Sequence, residues 1–146
     1  GDINIQDQWG YTALITASIE DHIEIVQLLI ENGAKIDIQD IEGWTALIQA
    51  SFRGHLKVVK YLVENGAKID IQDQDGWTAL IWASCDGHLE IVQYLIKNGA
   101  KIDLQNNNDN TALMVASKFG RKNIVEYLKQ KTIEYYQTKI DEIKKY

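Results

Sequence analysis

The sequence repeats itself every 33 residues. The tetrapeptide Thr-Ala-Leu-Ile begins at residues 12, 45 and 78, and Thr-Ala-Leu-Met begins at residue 111. The hexapeptide Asn-Gly-Ala-Lys-Ile-Asp begins at residues 32, 65 and 98. Self-similarity with a period of about 20–50 residues predicts a stacked array, in which each unit buries its apolar face against its neighbours. Because such arrays mostly bind other proteins, the period indicates a class of function without identifying a partner.

Each repeat contains the signals for two short helices. In the third repeat, an Asp-Gly turn at residues 75–76 precedes Thr78, which stands at the position of a helix N-cap. Gly87 is placed to end this first helix. Apolar residues then recur over residues 89–96 with the spacing of an amphipathic helix. Residues 101–105 alternate polar and apolar side chains, which predicts an extended connection to the next turn.

This order of turn, helix, turn, helix and extended loop resembles the ankyrin repeat. The resemblance rests on the turn motif Asp-Ile-Glu-Gly at 40–43, on Thr-x-Leu at the first helix, on Gly-His-Leu from residue 54 and on Asn-Gly-Ala-x-Ile-Asp. It implies an all-α solenoid of stacked helix-turn-helix units with projecting β-hairpin loops. It also implies a non-catalytic module for protein–protein interaction, in which hairpin tips and inner helices line a concave face that contacts partners.

The resemblance divides the chain into four repeats within one domain, residues 1–146. The repeats are expected at about 7–39, 40–72, 73–105 and 106–130. Residues 1–6 align with residues 34–39, so they are expected to be the remnant of a preceding repeat. In residues 131–146, apolar side chains recur at spacings of 3, 4 and 3, which predicts an extra C-terminal helix. That helix either packs on the last repeat or leads into another domain.

Some residues depart from the family pattern of Thr-Pro-Leu-His. Alanine replaces the proline in all four repeats, isoleucine or methionine replaces the histidine, and the chain contains no proline. We expect the fold to survive both changes. Asp21 stands where later repeats have the glycine that ends the first helix, and Asp109 replaces the turn glycine. Aspartate tolerates the left-handed conformation better than most residues, so both turns are still expected.

The overall charge narrows the range of partners. The formal net charge is −6 at pH 7, which argues against nucleic acid or an anionic membrane as the partner, because phosphate binding requires a basic face. The net charge is −9 over residues 1–105 and +3 over residues 106–146. One cysteine excludes an internal disulfide framework. We therefore expect a monomeric, intracellular and cytoplasmic protein that binds another protein.

Histidine and cysteine side chains are the candidates for a metal-binding or catalytic site. His22, His55 and His88 recur at the start of the second helix. Packed helices lie about 8–10 Å apart, too far for these side chains to share a metal ion with bonds near about 2 Å. Each histidine is therefore expected in a local hydrogen-bond network. Cys85 lies three residues before His88, but His88 belongs to the repeat template. The sequence also has no phosphate-binding loop motif. We therefore expect no catalytic, metal or cofactor site.

The positions that differ between repeats predict the binding surface, because folding alone does not dictate their side chains. All four tryptophans fall at such positions. Tryptophan, tyrosine and arginine are the residue types most enriched at binding hot spots. The residues predicted to contact a partner are Trp9, Tyr11, Trp44, Gln49, Phe52, Arg53, Asp75, Trp77, Trp82 and Asp86.

Two alternatives stay open for this surface. The aromatic residues after the turns either contact a partner or stack along the hairpin row and stiffen it. The chain is correspondingly either a protein-binding module or a structural spacer within a longer array. A spacer should have polar and near-identical variable positions, so the clustering of aromatic residues favours binding. Asp75 and Asp86 favour a partner with basic or mixed charge.

Overall fold

The computed structural model describes residues 2–146 as eight α-helices joined by turns. Gly1, the first residue of the expected remnant 1–6, lies outside the described residues. In the part described, no strand is present and no helix combines the length and apolar character needed to cross a membrane. The helices are α1 (Ala13–Ile19), α2 (Ile23–Glu31), α3 (Ala46–Arg53), α4 (Leu56–Glu64), α5 (Ala79–Asp86), α6 (Leu89–Lys97), α7 (Ala112–Lys118) and α8 (Lys122–Lys144).

The first helix of each repeat begins at a threonine. In all four repeats the threonine hydroxyl accepts a hydrogen bond from the backbone N–H three residues later, at 3.1 to 3.4 Å. This bond satisfies one of the free donors at a helix N-terminus. Gly54 and Gly87 end α3 and α5 in the left-handed conformation, with φ of 81° and 83°. These observations confirm the helix boundaries that the repeat template predicts.

The helix pairs stack in chain order around one continuous core. Helices α1, α3, α5 and α7 pack side by side in one row, and α2, α4, α6 and α8 form the second row. Leu47 and Leu80 from the first row are almost fully buried, as are Val59 and Val92 from the second. The predicted all-α solenoid of stacked helix-turn-helix units is therefore confirmed.

The loops that project from the array are tight turns. They lack a regular β-ladder throughout residues 2–146, although the resemblance leads one to expect hairpins. Neighbouring turns are nevertheless joined by backbone hydrogen bonds, so the four tips form a continuous row. These bonds run from the N–H of Ile41 to the oxygen of Trp9 (3.0 Å), from Gln74 to Glu42 (3.0 Å) and from Asn107 to Asp75 (2.9 Å).

Close stacking explains why most of these turns contain glycine. A Cβ atom on Gly43 would lie 2.9 Å from the nitrogen of Gln74, and one on Gly76 would lie 2.8 Å from the nitrogen of Asn107. Asp109 takes the same left-handed conformation, with φ of 63°. No further turn covers it within residues 110–146, so its side chain has the space that a side chain at Gly76 lacks.

The C-terminal segment differs from the expected extra helix. Helix α8 runs without interruption from Lys122 to Lys144, so residues 131–144 continue the second helix of the fourth repeat. In the third repeat, Asn98-Gly99 ends the second helix. Lys131 and Thr132 occupy the corresponding positions. Neither offers the left-handed stop that glycine provides, so the helix propagates.

Candidate protein-interaction site

Four aromatic side chains from two neighbouring repeats meet beside the row of turns. Trp44 and Trp77 follow the turns of the second and third repeats, and Phe52 and Trp82 lie in α3 and α5. The ring of Trp82 has its centroid 4.7 Å from that of Trp44, 5.0 Å from Phe52 and 4.3 Å from Trp77. Trp82 is therefore the centre of this group, which we call the aromatic cluster.

The aromatic cluster has favourable ring geometry and is only partly buried. Trp44 meets Phe52 edge-on, with centroids 5.5 Å apart and planes at 86°, and Phe52 meets Trp82 at 74°. Edge-to-face contacts of this kind suit the charge distribution of aromatic rings. The three tryptophans pack against the core, and all four rings keep part of their surface open to solvent. The cluster thus contributes to the fold and also presents apolar surface.

A buried aspartate orients the central tryptophan. Oδ1 of Asp73 accepts hydrogen bonds from the backbone N–H groups of Asp75 and Trp77, each at 2.9 Å. Its second oxygen, Oδ2, accepts a hydrogen bond from Nε1 of Trp82 at 2.8 Å. Hydrogen bonds to a carboxylate are roughly twice as strong as neutral ones, so Asp73 fixes the indole ring. The residue type alone gives no sign of this role, because an aspartate also occupies the equivalent position 40 as part of the template.

Charged residues border the aromatic cluster. Arg53 is exposed, and its guanidinium carbon lies 5.9 Å from the ring centroid of Phe52, within the range of a cation–π contact. Asp75 is exposed at the third turn, and Asp86 is exposed at the end of α5. Asp75 comes two residues before Trp77 and Asp86 one helical turn after Trp82, so both aspartates neighbour the cluster along the chain.

Gln49 does not take the position expected of it. Its side chain is buried, with 4% of its surface exposed. Its Oε1 accepts a hydrogen bond from Nε of Arg53 at 3.2 Å. Because Gln49 shows almost no surface, the expectation that it contacts a partner directly is replaced by a supporting role in holding Arg53.

The first repeat contributes a separate aromatic pair. The ring centroids of Trp9 and Tyr11 lie 6.4 Å apart, and Trp9 is 53% exposed. Within residues 2–146, no ring contact joins this pair to the aromatic cluster. The first repeat has Thr16 at the position of Trp82, so it lacks the ring that connects the second and third turns. Trp44 and Trp77 are therefore not joined by stacking directly on each other along the row of turns. Each of them contacts Trp82 instead.

Two of the repeated histidines, His55 and His88, bind the backbone of the preceding repeat, whereas Nε2 of His22 lies 3.2 Å from the Glu20 carboxylate. This is the local hydrogen-bonding role that the sequence predicts. The fourth repeat has arginine at the same position, which sequence reasoning missed although the 33-residue spacing from His88 identifies it. The bonds join Nε2 of His55 to the oxygen of Ile19 (3.0 Å), Nε2 of His88 to the oxygen of Phe52 (2.9 Å) and Nε of Arg121 to the oxygen of Cys85 (2.9 Å).

Cys85 and His88 do not form a nucleophile pair. Nε2 of His88 lies 2.9 Å from the oxygen of Phe52 and 3.0 Å from the Asp86 carboxylate. Burial, followed by the charge of Asp86, raises the pKa of the Cys85 thiol, which disfavours the reactive thiolate. Across residues 2–146, no three side chains of histidine, cysteine, aspartate or glutamate are grouped so that they could hold a metal ion.

Stacked helix pairs with a row of projecting turns define a helical repeat solenoid. The family model described as ankyrin repeats (3 copies) matches residues 1–73 and again residues 65–139. The two matches together span most of the chain, so this protein belongs to the ankyrin-repeat family. Ankyrin repeats are generally protein–protein interaction modules, and proteins built from them are typically non-enzymatic. A search of curated proteins found no match.

Proposed function

We propose that this protein is a non-catalytic interaction module whose partner binds the concave face at the aromatic cluster. One observation carries the proposal: three tryptophans from two repeats converge and stay partly exposed, although the repeat template requires none of them. Other residue types replace the central Trp82 in the remaining repeats, namely Thr16, Gln49 and Val115.

The chemistry of the cluster suits a protein partner. Large aromatic side chains at the centre of an interface contribute most of its binding free energy, and arginine is the other common hot-spot residue. An exposed apolar patch bordered by polar groups is typical of an interaction surface. The net charge of −9 over residues 1–105 would attract a basic or mixed-charge partner. Its association rate should then fall as the salt concentration rises.

A structural spacer is the second candidate function. The observation in its favour is that Trp44, Trp77 and Trp82 also pack against the core, so the cluster stiffens the array whether or not a partner binds. A spacer would need no exposed hot spot. Substitution of Arg53 beside the aromatic cluster would then leave the affinity for any peptide unchanged. The monomeric state and the intracellular setting remain predictions under both functions.

The test begins with a random peptide display library selected on the wild-type chain. The affinities of the selected peptides are then measured for Trp82→Ala, for Arg53→Ala and for Leu28→Ala as a control. Leu28 is an exposed apolar residue of α2, outside the cluster. We expect Trp82→Ala to weaken binding by about 30-fold or more, which corresponds to about 2 kcal/mol.

Arg53→Ala tests the same binding site if Trp82→Ala also destabilises the fold. Arg53 is exposed, and its replacement removes one hydrogen bond to Gln49, so we expect a small loss of melting temperature, smaller than that of Trp82→Ala, while binding weakens. Leu28→Ala should change neither quantity. Peptides that lose affinity with Leu28→Ala, but not with the two cluster variants, would show that the partner binds elsewhere.

A further inference from the structure

The second half of α8 carries an apolar stripe that is open to solvent. Its four side chains lie on one face of the helix, because they are spaced by 3, 4 and 3 residues. The opposite face of the same segment, with Lys131 and Tyr135, borders the loop at residues 99–103. The stripe therefore points away from the repeats. Its members, which we call the α8 stripe, are Ile133 (62% exposed), Tyr136 (48%), Ile140 (45%) and Ile143 (74%).

The shape of the α8 stripe favours a helix as its occupant. In a heptad, Ile133 and Ile140 take position a, and Tyr136 and Ile143 take position d. A stripe limited to these two positions is the narrow seam of paired helices, whereas helices that lie in a membrane surface have a wide apolar face and a basic polar face. The polar side here is mixed in charge, because Glu134, Asp141 and Glu142 alternate with Lys131 and Lys145.

The same face of α8 is polar in its first half. Lys122, Glu126 and Lys129 are exposed there. Lys122 and Lys129 stand where α6 has Leu89 and Ile96, which are partly buried in the stack. Another ankyrin repeat would need this half to be apolar. The occupant of the stripe is therefore expected to contact residues 133–143 alone.

Two lysines flank the α8 stripe, one on each side. Lys139 takes position g and Lys144 takes position e. A parallel pair of two copies would set Lys139 against Lys144, and an antiparallel pair would set Lys139 against Lys139. The stripe also extends over two heptads, fewer than the roughly three to four that indicate a self-sufficient coiled coil. Both features oppose pairing with a second copy, and both lysines match an acidic partner.

We propose that the α8 stripe binds an amphipathic α-helix of another protein. Apolar residues of that helix would pack on Ile133, Tyr136, Ile140 and Ile143, and its acidic residues would face Lys139 and Lys144. This second interaction surface is independent of the aromatic cluster, because it lies on the far part of α8 and involves none of the same residues.

The probe is a synthetic peptide of about three heptads with leucine at a and d and glutamate at e and g. A matched peptide with lysine at e and g is the control, and binding to the 146-residue chain is followed by fluorescence anisotropy at low salt. The acidic peptide should bind at least about tenfold more tightly than the basic one. Ile140→Ser should weaken that binding by about tenfold or more, whereas Leu28→Ser, which removes a more exposed apolar side chain (59% against 45%) from α2, should not.

Charge reversal provides a second variant that leaves the apolar stripe intact. With Lys139→Glu and Lys144→Glu together, the preference should invert in favour of the basic peptide. Circular dichroism checks that each variant keeps its helix content. Equal binding of the two peptides, or binding of neither, would overturn the proposal. So would a dimer that Ile140→Ser dissociates, or Ile140-dependent binding to phosphatidylserine vesicles without peptide binding.

Discussion

Asp109 adopts the left-handed backbone conformation that glycine adopts in the other three turns, with φ of 63°. This conformation costs a non-glycine residue about 1–2 kcal/mol. Asp109→Gly should therefore raise the free energy of unfolding by about 1 kcal/mol, measured by urea denaturation. Asn108→Gly, in the same turn, is the control and should not stabilise, because Asn108 does not have a positive φ. A greater gain from Asn108→Gly would contradict this explanation of the turn.

The raised pKa of the Cys85 thiol leads to a prediction about its rate of alkylation. Burial and the Asp86 carboxylate raise its pKa, and the opposing charges of Arg121 and Lys118 do not cancel them. A raised pKa lowers the fraction of thiolate at a given pH, and the thiolate is the species that reacts. Alkylation by iodoacetamide at about pH 8–9 should thus be slower in the native chain than in the urea-unfolded chain. Faster reaction of the native chain would show that the thiol is activated.

Individual side-chain positions were predictable only in part. The variable positions identify Trp44, Trp77 and Trp82, because departure from a strict template is visible in one sequence. The hydrogen bond from Trp82 to Asp73 and the burial of Gln49 were not predictable. Both depend on which rotamers fit once neighbouring repeats have stacked, and the residue types alone do not determine this.

Helix boundaries depend on local chemistry, so most of them follow from the sequence. Threonine at an N-cap and glycine in the left-handed conformation mark the ends of α3 and α5 whatever the neighbouring repeats contain. The length of α8 was harder to predict, because its end is not marked by glycine. Lys131 and Thr132 are compatible with helix or loop, and extending an existing helix avoids the cost of nucleating a new one.

The burial of leucine side chains in the first row of helices predicts how the free energy of unfolding responds to their truncation. Only 2% of the surface of Leu80 in α5 is exposed to solvent. Leu80→Ala should therefore lower the free energy of unfolding by about 2–5 kcal/mol. Leu28→Ala in α2 removes the same atoms from an exposed position and should cost about 0.5 kcal/mol or less. Both values come from urea denaturation. A Leu80 effect as small as the Leu28 effect would mean that the core lies elsewhere.

The whole molecule combines a uniform core with surfaces that vary. Each repeat contacts only its neighbours, so the 33-residue period is enough to predict the overall solenoid. The candidate site depends on side chains that break the period, Phe52 and the central Trp82, which meet Trp44 and Trp77 at equivalent positions of two repeats. The regular part of the sequence therefore predicts the fold, and the irregular part predicts where a partner binds.

Binding at the aromatic cluster is tested most directly by the indole N–H signals of the four tryptophans in a nitrogen–proton NMR spectrum. Each signal is assigned from a Trp→Phe variant, and the wild-type chain is titrated with a peptide selected on it. The signals of Trp44, Trp77 and Trp82 should move together and saturate at one dissociation constant. Trp9, which lies outside the cluster, should move less. Unchanged cluster signals, with shifts confined to the amides of α2 and α4, would contradict the proposed binding site.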